Sequence, residues 1–549
     1  MVAVVGSLLT AKVTGSLGIP HNDDWSYGKT ALLLARTGQL HLQGWGEMFL
    51  LGQIFTTLPF LFLFGQHEST LQLYGAAAST LVLVCTYLLA RPCVTRWRSV
   101  AIVGAVAIVP GFTLLASSYM TDLPGMGAAL LTMVLAARAI RRRSMLWFSA
   151  ALLAGVWAFT IRETMLAALA AACASVLVAP TLTRRFRALA AALTGLVLAV
   201  CFALKGLRDS MPASDAAFWP ASRLHPTISV ILTVYLTLGL FVLPLTAWAT
   251  ARLHRRGLTQ PARILGWALG TLPVAYLIFR HSPLSDFPHS FLGTSLTLLS
   301  YLGPHGAFYG TIPGVPGYIL NPAIWHLLQL LTVLGGVLLT GELTAAAGRP
   351  GQWIERMRGW DPALQQSVVF AALSAALLAY LGMSYQNVFD RYLLALVPCV
   401  GIALFSRVPP IHGHRSLPAI VGVSAIVVVL GFTSADLMWS TDARDAAVWT
   451  AAQKLVGQGV SPRQINAGLA WDGAYAAGPA EVPRPYPEIY IGESYKGIFK
   501  GLSDCWIVSM SQISNVPRLV TRESYIQPYG ADFGKAPLYV MHRPGCGSR

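Results

Sequence analysis

Charge is what this chain has least of. Only 11% of its 549 residues are Asp, Glu, Lys or Arg, whereas a soluble globular domain carries about a quarter. With 55% hydrophobic residues, that scarcity excludes an ordinary soluble domain and points to a polytopic membrane protein. Acidic residues are fewer still, 23 against 39 Lys and Arg, for a net charge of +16. No basic face with interleaved aromatics and no nucleic-acid motif accompanies that excess, so no nucleic-acid partner is expected. The seven cysteines form no CxxC and no Cys/His metal spacing. There is no Gly-rich phosphate loop, nucleophile elbow, HExxH, internal repeat or low-complexity tract.

What is abundant is apolar sequence in runs of spanning length. Spans are expected near 2–20, 70–90, 99–117, 124–140, 146–161, 164–180, 188–205, 228–250, 264–280, 323–341, 366–383, 392–406 and 417–436. The first is short for a helix that needs about 20 apolar residues. It also lacks a basic n-region and an A-x-A-like site, so a cleaved signal peptide is not expected.

The basic residues are sorted by the gaps between these runs. RPCVTRWR (91–98), RAIRRR (138–143), TRRFR (183–187), ARLHRRGLTQPAR (251–263), GRPGQWIERMR (348–358) and RVPPIHGHR (407–415) each hold at least two arginines. The alternate gaps, 21–69, 117–123, 162–163, 206–227, 281–322 and 384–391, are poorer in basic residues and hold most of the acidic ones. The positive-inside rule places the first set in the cytoplasm and the second outside, in a plasma (inner) membrane, multi-pass arrangement. The same alternation counts 146–161 and 164–180 as two spans.

Two outer segments are more than loops. YGKTALLLARTGQL (27–40) and GWGEMFLLGQIFTTLPFLFLFG (44–65) suit helices lying in the interface. If 47–65 spanned instead, the arginine-rich 91–98 would lie outside. After residue 436 the composition turns polar and rich in Pro, Gly and Tyr. DARDAAVWTAAQKLVGQG (442–459) has helical spacing, while QINAGLAWDG, DCWIVSMS and PLYVMHR resemble short strands. The expected architecture is mainly α: a membrane helical bundle of about 13 spans over 1–436, with outer interfacial helices and a small extracytoplasmic α/β domain over 437–549. Cys505 and Cys546 lie in that tail and can pair there if it faces an oxidising compartment.

Four acidic or basic clusters fall on the outer side. Asp23 and Asp24, in HNDDWSYG (21–28), either cap the helix starting near Ser26 or form a general base beside a second carboxylate. In SSYMTDLPG (117–125), Asp122 caps the next span or joins that pair at one membrane depth. In FTIRETM (159–165), Arg162 and Glu163 form a local ion pair, or Arg162 binds a phosphate. In FDRYLLALVP (389–398), Arg391 snorkels, pairs with Asp390, or binds an anion through its planar fork. The loop 281–322 scatters His281, Asp286, His289 and His305 too widely for a convincing metal site, and a loop covering substrate is expected there.

DDWSY (23–27), FLFLFG (60–65), TDLP (121–124) and DRYLLALVP (390–398), in that order and on one side, resemble the GT-C fold of lipid-dependent glycosyltransferases. The branch is that of protein O-mannosyltransferases and the bacterial aminoarabinose transferase of lipid A. The chain departs from that pattern in having Asp-Asp for Asp-Glu and in the displaced Pro398. The inserted luminal sugar-binding repeats are not visible, so protein is not favoured over lipid or glycan as acceptor.

The resemblance implies inverting transfer of a hexosyl or pentosyl group from a polyprenyl-phosphate sugar donor to an acceptor hydroxyl. Asp23 would be the base, Asp24 its neighbour and Asp122 their support. Arg391, with Arg162, would hold the donor phosphate, and Tyr27, Tyr119, Glu163 and Asp390 would position substrate. The branch implies no metal or other cofactor, although some GT-C enzymes use a divalent ion. The rival without catalysis is a transporter or flippase of lipid-linked sugars, which would show repeat symmetry. A polysaccharide polymerase or ligase of another fold, with a diphosphate leaving group, is a third reading.

Overall fold

The computed structural model describes residues 1–45, 48–212, 228–254, 261–281, 296–298, 301–308, 311–314, 317–347, 357–384, 388–408, 417–481, 498–513, 518–527, 534–543 and 545–546. Asp286 and His289 lie outside the described residues.

Apolar sequence with few breakers becomes helix because a chain in lipid must satisfy its backbone internally. In chain order the helices are α1 (Val2–Thr14), α2 (Asp24–Thr37), α3 (Leu51–Phe64), α4 (Glu68–Ala90), α5 (Arg96–Ile108), α6 (Phe112–Ala116), α7 (Asp122–Arg142), α8 (Met145–Ile161), α9 (Leu166–Val178) and α10 (Arg184–Asp209). Then follow α11 (Ile228–His254), α12 (Pro261–Gly270), α13 (Leu272–His281), α14 (Pro322–Ala347), α15 (Pro362–Ser384), α16 (Leu396–Ser406), α17 (Leu417–Gly457) and α18 (Leu469–Tyr475). Short 3-10 turns occupy Glu163–Met165 and Asp390–Leu393. Among the described residues, eight helices are long and apolar enough to cross a membrane. Each expected span contains helix, but helix covers 2–20 only to Thr14, 99–117 and 264–280 are each broken into two helices, and α1 and α16 are shorter than a full crossing.

The ends of the helices follow their sequence. Pro124 sits in the first turn of α7, where its missing N–H costs nothing. Arg141 and Arg142 occupy the last turn, facing the negative end of the helix dipole. The Thr183 hydroxyl accepts from the Phe186 N–H at 3.2 Å and caps α10. The segments 27–40 and 44–65, expected as interfacial helices, contain most of α2 and all of α3. Phe62, Leu63 and Phe64 stay exposed on α3, an apolar surface suited to lipid.

Two glycines set the geometry at the end of the bundle where α2 and α7 begin. A Cβ on Gly75 in α4 would lie 2.2 Å from the Ser118 carbonyl oxygen, so glycine lets the 117–121 segment press onto α4. Gly111, at φ +97° between α5 and α6, brings its backbone against the Tyr301 ring.

The tail differs from its expected form. The helix seen in 442–459 is not separate, because α17 runs unbroken for 41 residues from the last span into the tail. At 1.5 Å per residue it is about 60 Å long, twice the roughly 30 Å hydrocarbon layer. The tail boundary expected at 436–437 thus falls inside a helix. Against its far half packs a sheet of β1 (Ile465–Asn466), β2 (Trp506–Ser509), β3 (Arg518–Gln527) and β4 (Gly534–His542). The order is β1-β2-β4-β3, with β1 parallel to β2 and the other pairs antiparallel. AWDG, part of an expected strand, lies in α18. The tail core joins Val448, Ala452 and Leu455 of α17 to Ile465, Val508 and Val540 of the sheet. A separate apolar cluster joins the tail to α2, where Trp25 is buried with Leu469, Ile498 and Phe499.

Cys505 and Cys546 form a disulfide, Cα–Cα 5.6 Å, across a separation of 41 residues. In the chain-entropy account, closing such a loop destabilises the unfolded tail by about 4 kcal/mol. Cys505→Ser is therefore expected to speed proteolysis of the region after residue 498 several-fold, leaving α4 and α7 protected, as mass spectrometry of limited digests would show.

Candidate active site

Four breaks in the helical ladder converge on one point. The turn before α2 brings Asp23 and Asp24, and the first turn of α7 brings Asp122. The α8–α9 junction, where Arg162 is extended (φ −152°, ψ 119°), brings its guanidinium. The 3-10 turn before α16 brings Arg391.

Arg162 Nη1 donates to Asp122 Oδ1 at 2.6 Å and to Thr121 Oγ1 at 3.4 Å. Arg391 Nε lies 3.7 Å from the same Asp122 oxygen, and its Nη2 lies 3.6 Å from Asp23 Oδ2. Asp122 is thus shared by two arginines, and Arg391 bridges two aspartates. Trp45 Nε1 donates to Asp23 Oδ1 at 3.0 Å. Asp23 is the N-cap of α2 but makes no side-chain cap bond, so its carboxylate is used across the fold and not along its own helix. Its side chain is 19% exposed against 5% for Asp122 and 6% for Arg391, making it the most open of the three.

Aromatic faces floor the two cations. Arg162 lies over Tyr392 at 4.4 Å, and Arg391 over Phe389 at 4.9 Å, Tyr392 at 5.6 Å and Tyr301 at 5.8 Å. Burial works against the Arg391 charge, but Asp122, Tyr301, Tyr392 and Asp23 together hold its pKa above the ordinary arginine range. A cavity opens from these groups. Asp122, Arg162, Arg391 and Tyr392 line its polar part, and Leu377, Leu378, Leu381 and Leu394 its apolar wall. Tyr27 is buried in the field of Asp23, Arg391, Asp122 and Arg162.

The remaining sequence candidates face other partners. Asp24 Oδ2 accepts from the Tyr119 N–H at 3.1 Å, tying α2 to the segment before α7. The Tyr119 hydroxyl bonds Thr57 Oγ1 at 2.8 Å, and its carbonyl accepts from Gln53 at 2.8 Å. Glu163 accepts from the Phe49 N–H at 3.1 Å, while Arg162 beside it turns to Asp122. Asp390 does not pair with the Arg391 guanidinium. It accepts backbone N–H bonds from Tyr301 (2.9 Å), Leu302 (2.7 Å) and Arg391 (2.7 Å) and so fixes the turn that aims Arg391. Among the described residues no group of three or more His, Cys, Asp or Glu side chains could hold a metal. His305 stacks on Tyr318 at 4.6 Å.

Sequence reasoning missed Trp45, Tyr301 and Tyr392. Tyr392 had a signal, since it adjoins Arg391. Trp45 and Tyr301 meet the site only through loops folded back from elsewhere, which no local pattern reveals.

Asp24 also carries a stability prediction. Burial pushes its pKa up to about 7, opposed by the His21 charge and by N–H bonds from Tyr119 and His21. A carboxyl that holds its proton more tightly when folded loses stability as pH rises from about 4, its unfolded value, through about 7. Asp24→Asn keeps an oxygen for Tyr119 and has no charge to bury. Thermal unfolding is expected to show the variant gaining on wild type between pH 5 and pH 8.

Residues 53–205 match the model of a family described as dolichyl-phosphate-mannose-protein mannosyltransferase, in keeping with the branch the motifs resemble. No curated protein matches the chain. Among solved structures, the chain is similar to ArnT from Cupriavidus metallidurans bound to undecaprenyl phosphate. The identity is 13% over all of this chain and 98% of that one, with TM-score 0.45. It is also similar to the Archaeoglobus fulgidus oligosaccharyltransferase in the apo form, at 14% identity over 82% of this chain and 59% of that one, TM-score 0.39. The same organism's oligosaccharyltransferase AglB, in complex with an inhibitory peptide and a dolichol-phosphate, matches at 14% identity over the same shares, TM-score 0.40.

Proposed function

We propose that this multi-pass membrane protein is a glycosyltransferase that moves a hexosyl or pentosyl group from a polyprenyl-phosphate donor to an extracytoplasmic hydroxyl. One observation carries the reading. Two buried arginines share Asp122 at the head of a leucine-walled cavity, with the more open Asp23 3.6 Å from Arg391. A lipid phosphate has the same two parts, an anion for paired guanidinium groups and a chain for an apolar wall. The family match spans Asp122 and Arg162 and agrees with a phosphate-linked sugar donor.

In this mechanism Asp23 takes the proton of the acceptor hydroxyl as its oxygen attacks the anomeric carbon from the face opposite the phosphate. The bond from that carbon to the phosphate oxygen breaks with inversion. The lipid phosphate leaves with the electron pair, and Arg391 and Arg162 stabilise its charge. Asp122 holds both arginines in place, and Asp24 acts through the backbone of Tyr119. The acceptor is a lipid, glycan or protein hydroxyl.

Charge supports the side of the membrane in this reading. Asp122 and Arg141 lie at opposite ends of α7, about 30 Å apart at 1.5 Å per residue. On this reading the arginine-rich end is the cytoplasmic one, and the positive-inside rule supports a site at the outer face of a plasma membrane. The test is to supply purified protein with a polyprenyl-phosphate sugar and candidate acceptors. Acceptor-dependent release of polyprenyl phosphate is expected. Movement of intact donor across vesicles without release would support the flippase and overturn the transferase.

A further inference from the structure

Asp23 is delivered by a turn whose other end is gripped from far along the chain. His21 Nδ1 lies 2.8 Å from Asp445 Oδ2, and its Nε2 lies 3.7 Å from Asp442 Oδ1. Both aspartates sit on the far half of α17, more than 400 residues away. His21 and Asp442 are fully buried, and Asp445 nearly so. Asp445 is held in turn by Arg444, at 2.9 Å from Nε and 2.8 Å from Nη2.

Between His21 and Asp23 stands Asn22 at φ +46°, the left-handed region that asparagine tolerates better than other side chains. The turn closes with N–H bonds from Asp24 to the His21 carbonyl (3.1 Å) and from Ser26 to the Asp23 carbonyl (3.1 Å). One fixed residue, one left-handed residue and one base form a short lever. A shift at His21 has no slack in which to dissipate before it reaches Asp23.

We infer that His21, clamped by Asp445 and Asp442, is the positioning residue for Asp23, so that the tail helix α17 is part of the transfer machinery. This rests on the reading of Asp23 as the base.

The charges in the cluster agree with a clamp. His21 is faced by Asp442, Asp445 and Arg444 from α17, by Asp24 from α2 and, beyond Asp445, by Tyr525 from β3. Burial alone would lower the imidazole's pKa, but the Asp445 hydrogen bond and the charges of Asp445, Asp442 and Asp24 push it up to about 9. Protonated His21 balances the cluster, with Arg444 against Asp442 and Asp445. A group raised from 6.5 to about 9 contributes its stabilisation fully below 6.5 and loses it as pH rises through 9.

The test uses the full chain in lipid nanodiscs, with His21→Gln, Asp445→Asn and the charge-keeping Asp445→Glu. His21→Gln and Asp445→Asn are expected to lower kcat roughly 10- to 100-fold, the scale of a base misplaced by about 1 Å. The donor KM should change less than about twofold. Asp445→Glu should recover most of the rate. In wild type the alkaline limb of kcat should lie near pH 9, and Asp445→Asn should move it to lower pH, because burial of His21 is then less opposed. Hydrogen exchange in a peptide covering residues 20–27 should quicken in both charge-removing variants. Wild-type kcat and alkaline limb in His21→Gln would overturn the proposal. If no donor yields transfer even in wild type, the function reading fails on its own, and unchanged exchange in Asp445→Asn would still overturn the clamp.

Discussion

Asp23→Asn is expected to lower sugar transfer by about 10²- to 10⁴-fold, the usual scale of a general base, while the protein folds and binds donor. The substitution is close to isosteric, and its side-chain oxygen still accepts from Trp45 Nε1, which wild-type Asp23 meets at 3.0 Å. Arg391 loses one anion but keeps Asp122 at 3.7 Å. A donor phosphate then meets an arginine with one competitor fewer, so donor affinity should hold or rise. Turnover with polyprenyl-phosphate sugar, measured beside binding of polyprenyl phosphate alone, checks both parts. Transfer within tenfold of wild type would remove Asp23 as the base.

Arg391→Ala and Arg162→Ala are expected to fail in different ways. Arg391 contacts Asp23 and Asp122 only at 3.6–3.7 Å, and both keep another partner when it is removed, Trp45 and Arg162 respectively. The fold should survive, while donor KM rises roughly 10- to 100-fold, about 1.4–2.8 kcal/mol of lost charge-assisted binding. Arg391→Lys should recover only part of this, because an ammonium cannot present the planar fork. Arg162, by contrast, is the 2.6 Å partner of an Asp122 side chain that is 5% exposed. Removing it takes away the 2.6 Å hydrogen bond of a buried carboxylate and leaves it only Arg391 at 3.7 Å, at a cost of about 3 kcal/mol. Thermal unfolding should therefore separate the two variants: a large loss for Arg162→Ala and little for Arg391→Ala. Equal destabilisation would mean that Arg391 is as structural as Arg162.

The residues that meet at the site were legible because membrane insertion makes their cost visible. Asp122, Arg162 and Arg391 each interrupt an apolar run at the same end of the bundle, and charge there needs a partner. Their partners were not legible. Arg162 lies beside Glu163 in sequence, yet pairs with Asp122 across 40 positions. Arg391 lies beside Asp390, which spends its oxygens on three backbone N–H groups. Adjacent residues on a turn point in different directions, so neighbourhood in sequence says little about which carboxylate a guanidinium reaches.

The tail was legible in composition and not in form. Its short strands were signalled by β-branched and aromatic runs, but β3, RLVTRESYIQ, carries enough charge to conceal its pairing with β4. The unbroken α17 escaped because a polar composition beginning near residue 437 suggests a new domain, whereas nothing at Ala435–Asp436 breaks a helix.

By itself, then, the sequence determined that the chain crosses a membrane repeatedly, which end of the bundle is arginine-rich, and which charged residues sit at the other. These are one-dimensional properties, set by hydropathy and charge along the chain. Only the tertiary structure decided that Asp122 is shared by two arginines, that Asp24 faces Tyr119 while Asp23 faces Arg391, and that His21 answers to Asp445. Those are matters of direction between distant segments, decided by where helices break and how their ends pack.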